Sequence, residues 1–170
     1  MVQQLLLLGI LLRGKMHGYR LNEYVAHAMS LYTDITKSTV YYTLDKLEKE
    51  GYVEHMTERE GKRPERRVYQ INKKGEECFF GLLREHLSNY ERTFYADDVG
   101  IAFMDRLPAV EAHRLLTGKR EKLKTILQQF REHPEHGGNW HYVVSHNIAH
   151  LKADFAWVNN ILSELDKADS

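Results

Sequence analysis

The chain has 170 residues, 42% of them apolar and 28% charged, with 24 basic and 24 acidic side chains. That length holds one ordinary domain, or a small domain with a helical appendage, and only three prolines exclude an extended proline-rich linker while leaving long helices easy to build. A single cysteine, Cys78, excludes an intramolecular disulfide and a cysteine-based zinc site, and it points to a reducing cytoplasm.

The apolar start, Leu5 to Leu12, is broken by Gly9 and followed by Arg13-Gly14-Lys15. It is too short to span a bilayer and lacks the basic flank and cleavage site of a signal peptide. Residues 2–12 therefore read as a buried first helix ending near Gly14. A second helix is expected from Gly18 to about Ser30, because Leu21, Tyr24, Val25, Ala28 and Met29 recur at the spacing of one helix face. Thr36 is the expected N-cap of a third helix, with Ser38 as the competing candidate. This helix carries Val40, Tyr41, Leu44 and Leu47 on one face and ends at Glu50-Gly51, where glycine supplies the left-handed cap.

Two β-favouring runs follow, Tyr52 to Met56 and Val68 to Ile71, around a charged stretch with Gly61 and Pro64 as turn formers. They predict a hairpin with a long basic tip. Asn72 is then the expected N-cap of a helix reaching about Tyr95, followed by a helix over 97–106 and another from Pro108 to about Glu132. After a loop at 133–139 containing Pro134, Gly137 and Gly138, a last helix runs from Trp140 to about Leu165. Its apolar positions Val144, Ile148, Leu151, Phe155, Val158 and Leu162 or Leu165 suit helix–helix packing.

Three helices followed by a two-stranded β wing is the order of a winged helix-turn-helix, so the fold class expected is mainly α, with a helical region behind that unit. The division expected is 1–76 for a DNA-binding domain and 77–170 for a helical dimerisation domain. The zero net charge conceals an uneven distribution. Arg59, Lys62, Arg63, Arg66, Arg67, Lys73 and Lys74 fall within sixteen residues with only Glu60 and Glu65 against them.

The first 75 residues resemble the PadR family of transcriptional regulators. The stretches that carry the likeness are Leu6-Leu7-Leu8-Gly9-Ile10-Leu11, His17-Gly18-Tyr19-Arg20-Leu21, Ser38 to Leu44, Leu47 to Val53, and Arg67 to Gly75, five in the right order and spacing. Tyr42 departs from the pattern, since the family usually has proline there. The tail, with His141-Tyr142-Val143-Val144 and Ala156-Trp157-Val158, resembles the longer of two PadR classes. The resemblance implies a cytoplasmic homodimer that binds double-stranded operator DNA, usually represses, and is often relieved by a small aromatic effector. It also implies that Tyr19 and His141 lie near such a ligand.

Phosphate binding falls to Lys62, Arg63, Arg66 and Arg67 in the wing and Lys37 beside the third helix, with salt-sensitive affinity as the signature. Ser38, Thr39, Tyr42 and Thr43 are the candidates for base edges, through hydroxyls and a threonine methyl. Tyr41 divides evenly between the core and a phosphate, while Asp45 and Glu48 read as solvent-facing. Phe155, Trp157, Leu162 and Leu165 are the candidate dimer seam, with an intrachain core as the other reading. No cofactor is expected. His146 and His150 have the spacing of a two-histidine metal edge, with His133 and His136 nearby, but a site needs further ligands, so exposed helical histidines are the better reading. A winged helix used only for protein contact would lack the wing cations. An enzyme is disfavoured, because the sequence has no phosphate-binding glycine loop, HExxH or GxSxG, and Cys78, beside Phe79 and Phe80, reads as a buried small apolar group.

Overall fold

Apolar periodicity produces the elements in the expected order. The structure is a computed structural model that describes residues 1–59, 65–132 and 138–168. It contains α1 (Val2–Leu11), β1 (Met16–His17), α2 (Gly18–Ala28), α3 (Lys37–Lys49), β2 (Val53–Glu58), β3 (Arg66–Ile71), α4 (Lys73–Ser88), α5 (Ala96–Ala102), a 3-10 turn (Met104–Arg106), α6 (Ala109–Glu132) and α7 (Trp140–Ala168). These divide into two compact units, Met1–Arg92 and Thr93–Ser170. The boundary falls later than the expected 76/77 because α4 packs on α1 and belongs to the N-terminal unit. Its closeness to α1 shows at Gly9, where an added Cβ would stand 3.0 Å from the Phe79 ring.

The N-terminal core is built by Leu7, Leu8 and Leu11 of α1, Leu21 and Val25 of α2, Val40, Leu44 and Leu47 of α3, and Val53, Tyr69 and Ile71 of the sheet. The short helices α2 and α3 would be marginal alone, so burying these faces supplies most of their stability. Thr36 caps α3 by accepting a hydrogen bond from Thr39 N. At the other end Gly51, at φ +74°, closes a Schellman turn, with Gly51 N donating to Glu48 O and Tyr52 N to Leu47 O. Asn72 caps α4 through its side-chain oxygen, which accepts from Gly75 N.

The sheet has three strands, in the order β1-β3-β2 and all antiparallel. The third is β1, two residues that the sequence reading left between helices; a pairing of Met16 with Tyr69 and His17 with Val68 is too short to leave an alternating pattern. Helix α4 stops at Ser88 rather than near Tyr95. The Ser88 hydroxyl bonds back to Glu85 O, and Asn89 turns extended, as serine and asparagine do when they compete with helical hydrogen bonding. The stretch expected as one helix over 97–106 breaks at Phe103 into α5 and the 3-10 turn.

In the C-terminal unit α6 and α7 pack along a seam of Leu116, Leu123, Val158 and Leu162, with Leu151, Phe155, Trp157 and Leu165 against it. Among the described residues no helix is long and apolar enough to cross a membrane.

Candidate nucleic-acid interface

Helix α3 turns one face to the core and the opposite face outward. Val40, Thr43, Leu44 and Leu47 are buried, while Lys37, Ser38 and Tyr42 are exposed, Tyr42 at 72%. Thr43, at 5% exposure, cannot reach a base edge, which corrects its assignment. It lies three residues after Val40 and four before Leu47, on the apolar stripe, and its small side chain fits there. The remaining hydroxyls gather at the cap, with Ser38 Oγ 2.9 Å and Thr39 Oγ1 3.0 Å from Thr36 Oγ1. Tyr41 is half-buried against the N-terminal core, so its ring packs inward.

Strands β2 and β3 carry the wing from the end of α3. Lys62 and Arg63, like Gly61 and Pro64, lie outside the described residues. Arg66 and Arg67 are exposed at the start of β3. The Arg66 guanidinium sits 5.3 Å from the centroid of the Tyr19 ring, a cation–π arrangement that joins the wing to α2. Arg67 reaches Asp45 of α3, Nη1 to Oδ1 at 3.7 Å. Glu48, one turn further along α3, bonds His55 of β2. His17 of β1 stands 3.8 Å from Glu58 at the end of β2.

Between these tethers lies Tyr69, whose side chain is buried. Burial pushes its hydroxyl pKa up, and the Arg67 guanidinium, hydrogen-bonded to it, opposes part of that shift. The same bond raises the Arg67 pKa, with Asp45 and Glu48 adding to the effect. The Tyr69 ring also approaches Gly18, where a Cβ would stand 3.0 Å from it, so a larger residue at the entry to α2 would require that ring to shift by a few tenths of an ångström. Gly18, Tyr19, Tyr41, Asp45, Arg66 and Arg67 border an open cleft of about 390 Å³ between α2, α3 and the wing. Sequence reasoning missed Asp45, Glu48, His55 and Tyr69. No spacing within one element signals them, because Asp45 and Glu48 lie on α3 while their partners lie on β3 and β2.

Tyr19 belongs to the N-terminal unit, 37% exposed, and its hydroxyl accepts from Arg20 Nε at 3.3 Å. His141 belongs to the C-terminal unit, exposed, with Nδ1 3.0 Å from Gly138 O and its ring against Tyr142. Of the candidate seam, Leu162 is 4% exposed within the single chain. Helix α6 already covers it, which removes it from any surface open to a partner. Phe155, Trp157 and Leu165 are half-buried along the same helix, and Lys119 Nζ lies 5.6 Å from the Trp157 ring. His146 and His150 meet through their Nε2 atoms at 3.0 Å. No group of three or more metal-ligating side chains gathers among the described residues; His133 and His136 lie outside them.

Residues 7–79 match the sequence profile described as the transcriptional regulator PadR-like family. Three solved structures share the fold over nearly the whole chain. Bacillus subtilis PadR in complex with operator DNA is 22% identical, with a TM-score of 0.81, over 97% of this chain and 99% of that one. The same Bacillus protein in complex with p-coumaric acid is 21% identical, with a TM-score of 0.76, over 97% and 96%. The Vibrio cholerae virulence activator AphA is 15% identical, with a TM-score of 0.78, over 98% and 99%. No curated protein sequence matches the chain.

Proposed function

We propose that this chain, whose residues 7–79 match the transcriptional regulator PadR-like family, is a homodimeric DNA-binding repressor released from its operator by a small aromatic or phenolic ligand. The observation that carries the DNA reading is the outward face of α3. Lys37, Ser38 and Tyr42 stand clear of the core at the start of the helix, and the exposed cations of β3 lie on the wing beside it. In winged helices this third helix enters the major groove and the wing follows the backbone. Tyr42, Ser38 and Thr39 read base edges in this arrangement, while Lys37, Lys62, Arg63 and Arg66 meet phosphates.

Dimerisation follows from specificity, because one recognition helix reads only a few base pairs and two read a palindrome. The C-terminal unit has apolar surface to spare for it. Val99, Phe103, Leu107, Val110 and Leu115 are each at least 42% exposed, side chains that a partner could cover. Phe155, Trp157 and Leu165 add to that surface. The ligand reading has the support of the fold shared with Bacillus subtilis PadR, whose structure in complex with p-coumaric acid is known. Tyr19 and His141 are the residues proposed for it, tyrosine for stacking or hydrogen bonding and histidine for an anion.

The test is selection of duplexes from a random-sequence pool, then fluorescence anisotropy on a selected and an unrelated duplex at two salt concentrations, with p-coumaric acid as competitor. Sequence-preferring binding that weakens steeply with salt is the expected result. Absence of binding to any duplex at low salt would overturn the DNA reading. Binding indifferent to the acid would remove that effector.

A further inference from the structure

The wing cations are not equivalent. Arg66 lies over a neutral ring, whereas Arg67 is held by an acid of the recognition helix. The Asp45–Arg67 pair is about half exposed on each side, 53% for Asp45 and 57% for Arg67. A pair so exposed adds little to fold stability, so its consequence must be sought elsewhere. It forms part of a joint. Asp45 and Glu48 project from one side of α3, Asp45 to Arg67 in β3 and Glu48 to His55 in β2, so each strand of the wing has its own anchor on the helix. Behind the anchors, His55 packs its ring 5.8 Å from that of Tyr69, and Arg67 bonds the Tyr69 hydroxyl. In the sheet His55 pairs with Tyr69 and Thr57 with Arg67, so both anchors act on one ladder, two steps apart.

We propose that Asp45 is a specificity-determining positioning residue: it holds Arg67 against α3, which fixes the pose of the wing and withdraws one cation from sequence-independent phosphate binding, with Glu48 and His55 as the second anchor. This inference rests on the DNA-binding reading. Counterion release makes every free cation near the backbone favour all sequences alike. A wing whose Arg67 is occupied gains less from random DNA. It keeps its contribution for a duplex that fits α3 and the wing together.

Asp45→Asn removes the charge and keeps the shape. The expected result, measured by anisotropy with the full-length protein on a duplex it selected from a random pool and on an unrelated duplex, is about tenfold loss in the ratio of the two affinities. The loss comes mainly from tighter unrelated binding, and the salt dependence on the unrelated duplex steepens by roughly one cation's share, about 0.9 in log–log slope. Asp45→Glu restores the ratio. In an Arg67→Gln background Asp45→Asn has no further effect, whereas a general charge effect of Asp45 on DNA would persist there. A ratio within twofold of wild type, or an undiminished effect of Asp45→Asn in the Arg67→Gln background, would overturn the proposal while leaving DNA binding intact. Failure of the wild type to select any duplex would overturn both.

Discussion

A methyl group placed on Gly75 would stand 2.1 Å from the carbonyl oxygen of Tyr52 and 2.7 Å from Ile71 Cγ1. The first turn of α4 is therefore seated directly on the backbone that leads into β2, and Asn72 N donates to the same Tyr52 carbonyl at 3.2 Å. A backbone atom cannot rotate away as a side chain can. Gly75→Ala should displace α4 and cost about 1–3 kcal/mol, the usual penalty of overpacking. In a unit of this size that lowers the melting temperature by roughly 4–8 °C per kcal/mol, readable by thermal circular dichroism. Gly81→Ala, in the same helix but with open space at its Cβ, should leave stability equal or slightly higher; equal losses at both positions would refute the packing argument.

Tyr42 and Thr43 are neighbours in sequence and opposites in space, the first 72% exposed and the second 5%. The prediction follows directly. Tyr42→Ala should weaken binding to a selected duplex tenfold or more with little change in melting temperature. Thr43→Val, nearly isosteric, should leave the affinity within about twofold. Quantitative binding on one duplex separates them, and a larger loss from Thr43→Val would return Thr43 to the interface.

The difference between those two residues also shows what the sequence could convey. Leu21, Val40, Leu44 and Leu47 were legible because helical periodicity marks a buried stripe whatever it packs against. The caps at Thr36, Gly51 and Asn72 were legible because their chemistry is local. Thr43 was misassigned because polarity was read as exposure at a stripe position. Strand β1 and the Asp45–Arg67 and Glu48–His55 pairs depend on contacts between residues 7 to 53 positions apart. No spacing rule of a single helix or strand encodes such contacts. Phe155 and Leu162 sat on a recognisable helical face, yet periodicity alone cannot say whether α6 or a second chain covers it.

Burial raises the Tyr69 pKa above its ordinary value of 10.0, and Arg67 offsets the rise only in part. The folded state thus holds this proton more tightly than the unfolded chain. Stability from this group is fully present below pH 10, and it declines as the pH climbs from the unfolded value through the folded one. Denaturant midpoints measured between pH 8 and pH 11 should fall above pH 10. Tyr69→Phe, which cannot ionise, should flatten that part of the profile while losing the bond to Arg67. An identical alkaline slope in wild type and variant would assign the decline to other groups.

Leu162 and Phe103 distinguish a core from the proposed dimer seam in the C-terminal unit. Leu162 is 4% exposed within the single chain, Phe103 63%. Leu162→Ala leaves a cavity between α6 and α7 and should cost about 2–5 kcal/mol. Val99→Lys combined with Phe103→Lys removes nothing from that packing, but it would place two charges at exposed apolar positions of the proposed seam, where burial would carry a desolvation cost. Sedimentation velocity should then show the double variant as a monomer at concentrations where the wild type is a dimer. Its far-ultraviolet circular dichroism should be unchanged, and its binding to a palindromic duplex weaker because the two recognition helices no longer act together. A double variant that remains dimeric would move the seam to the half-buried side chains of α7, Phe155, Trp157 and Leu165, where the same pair of measurements can be repeated.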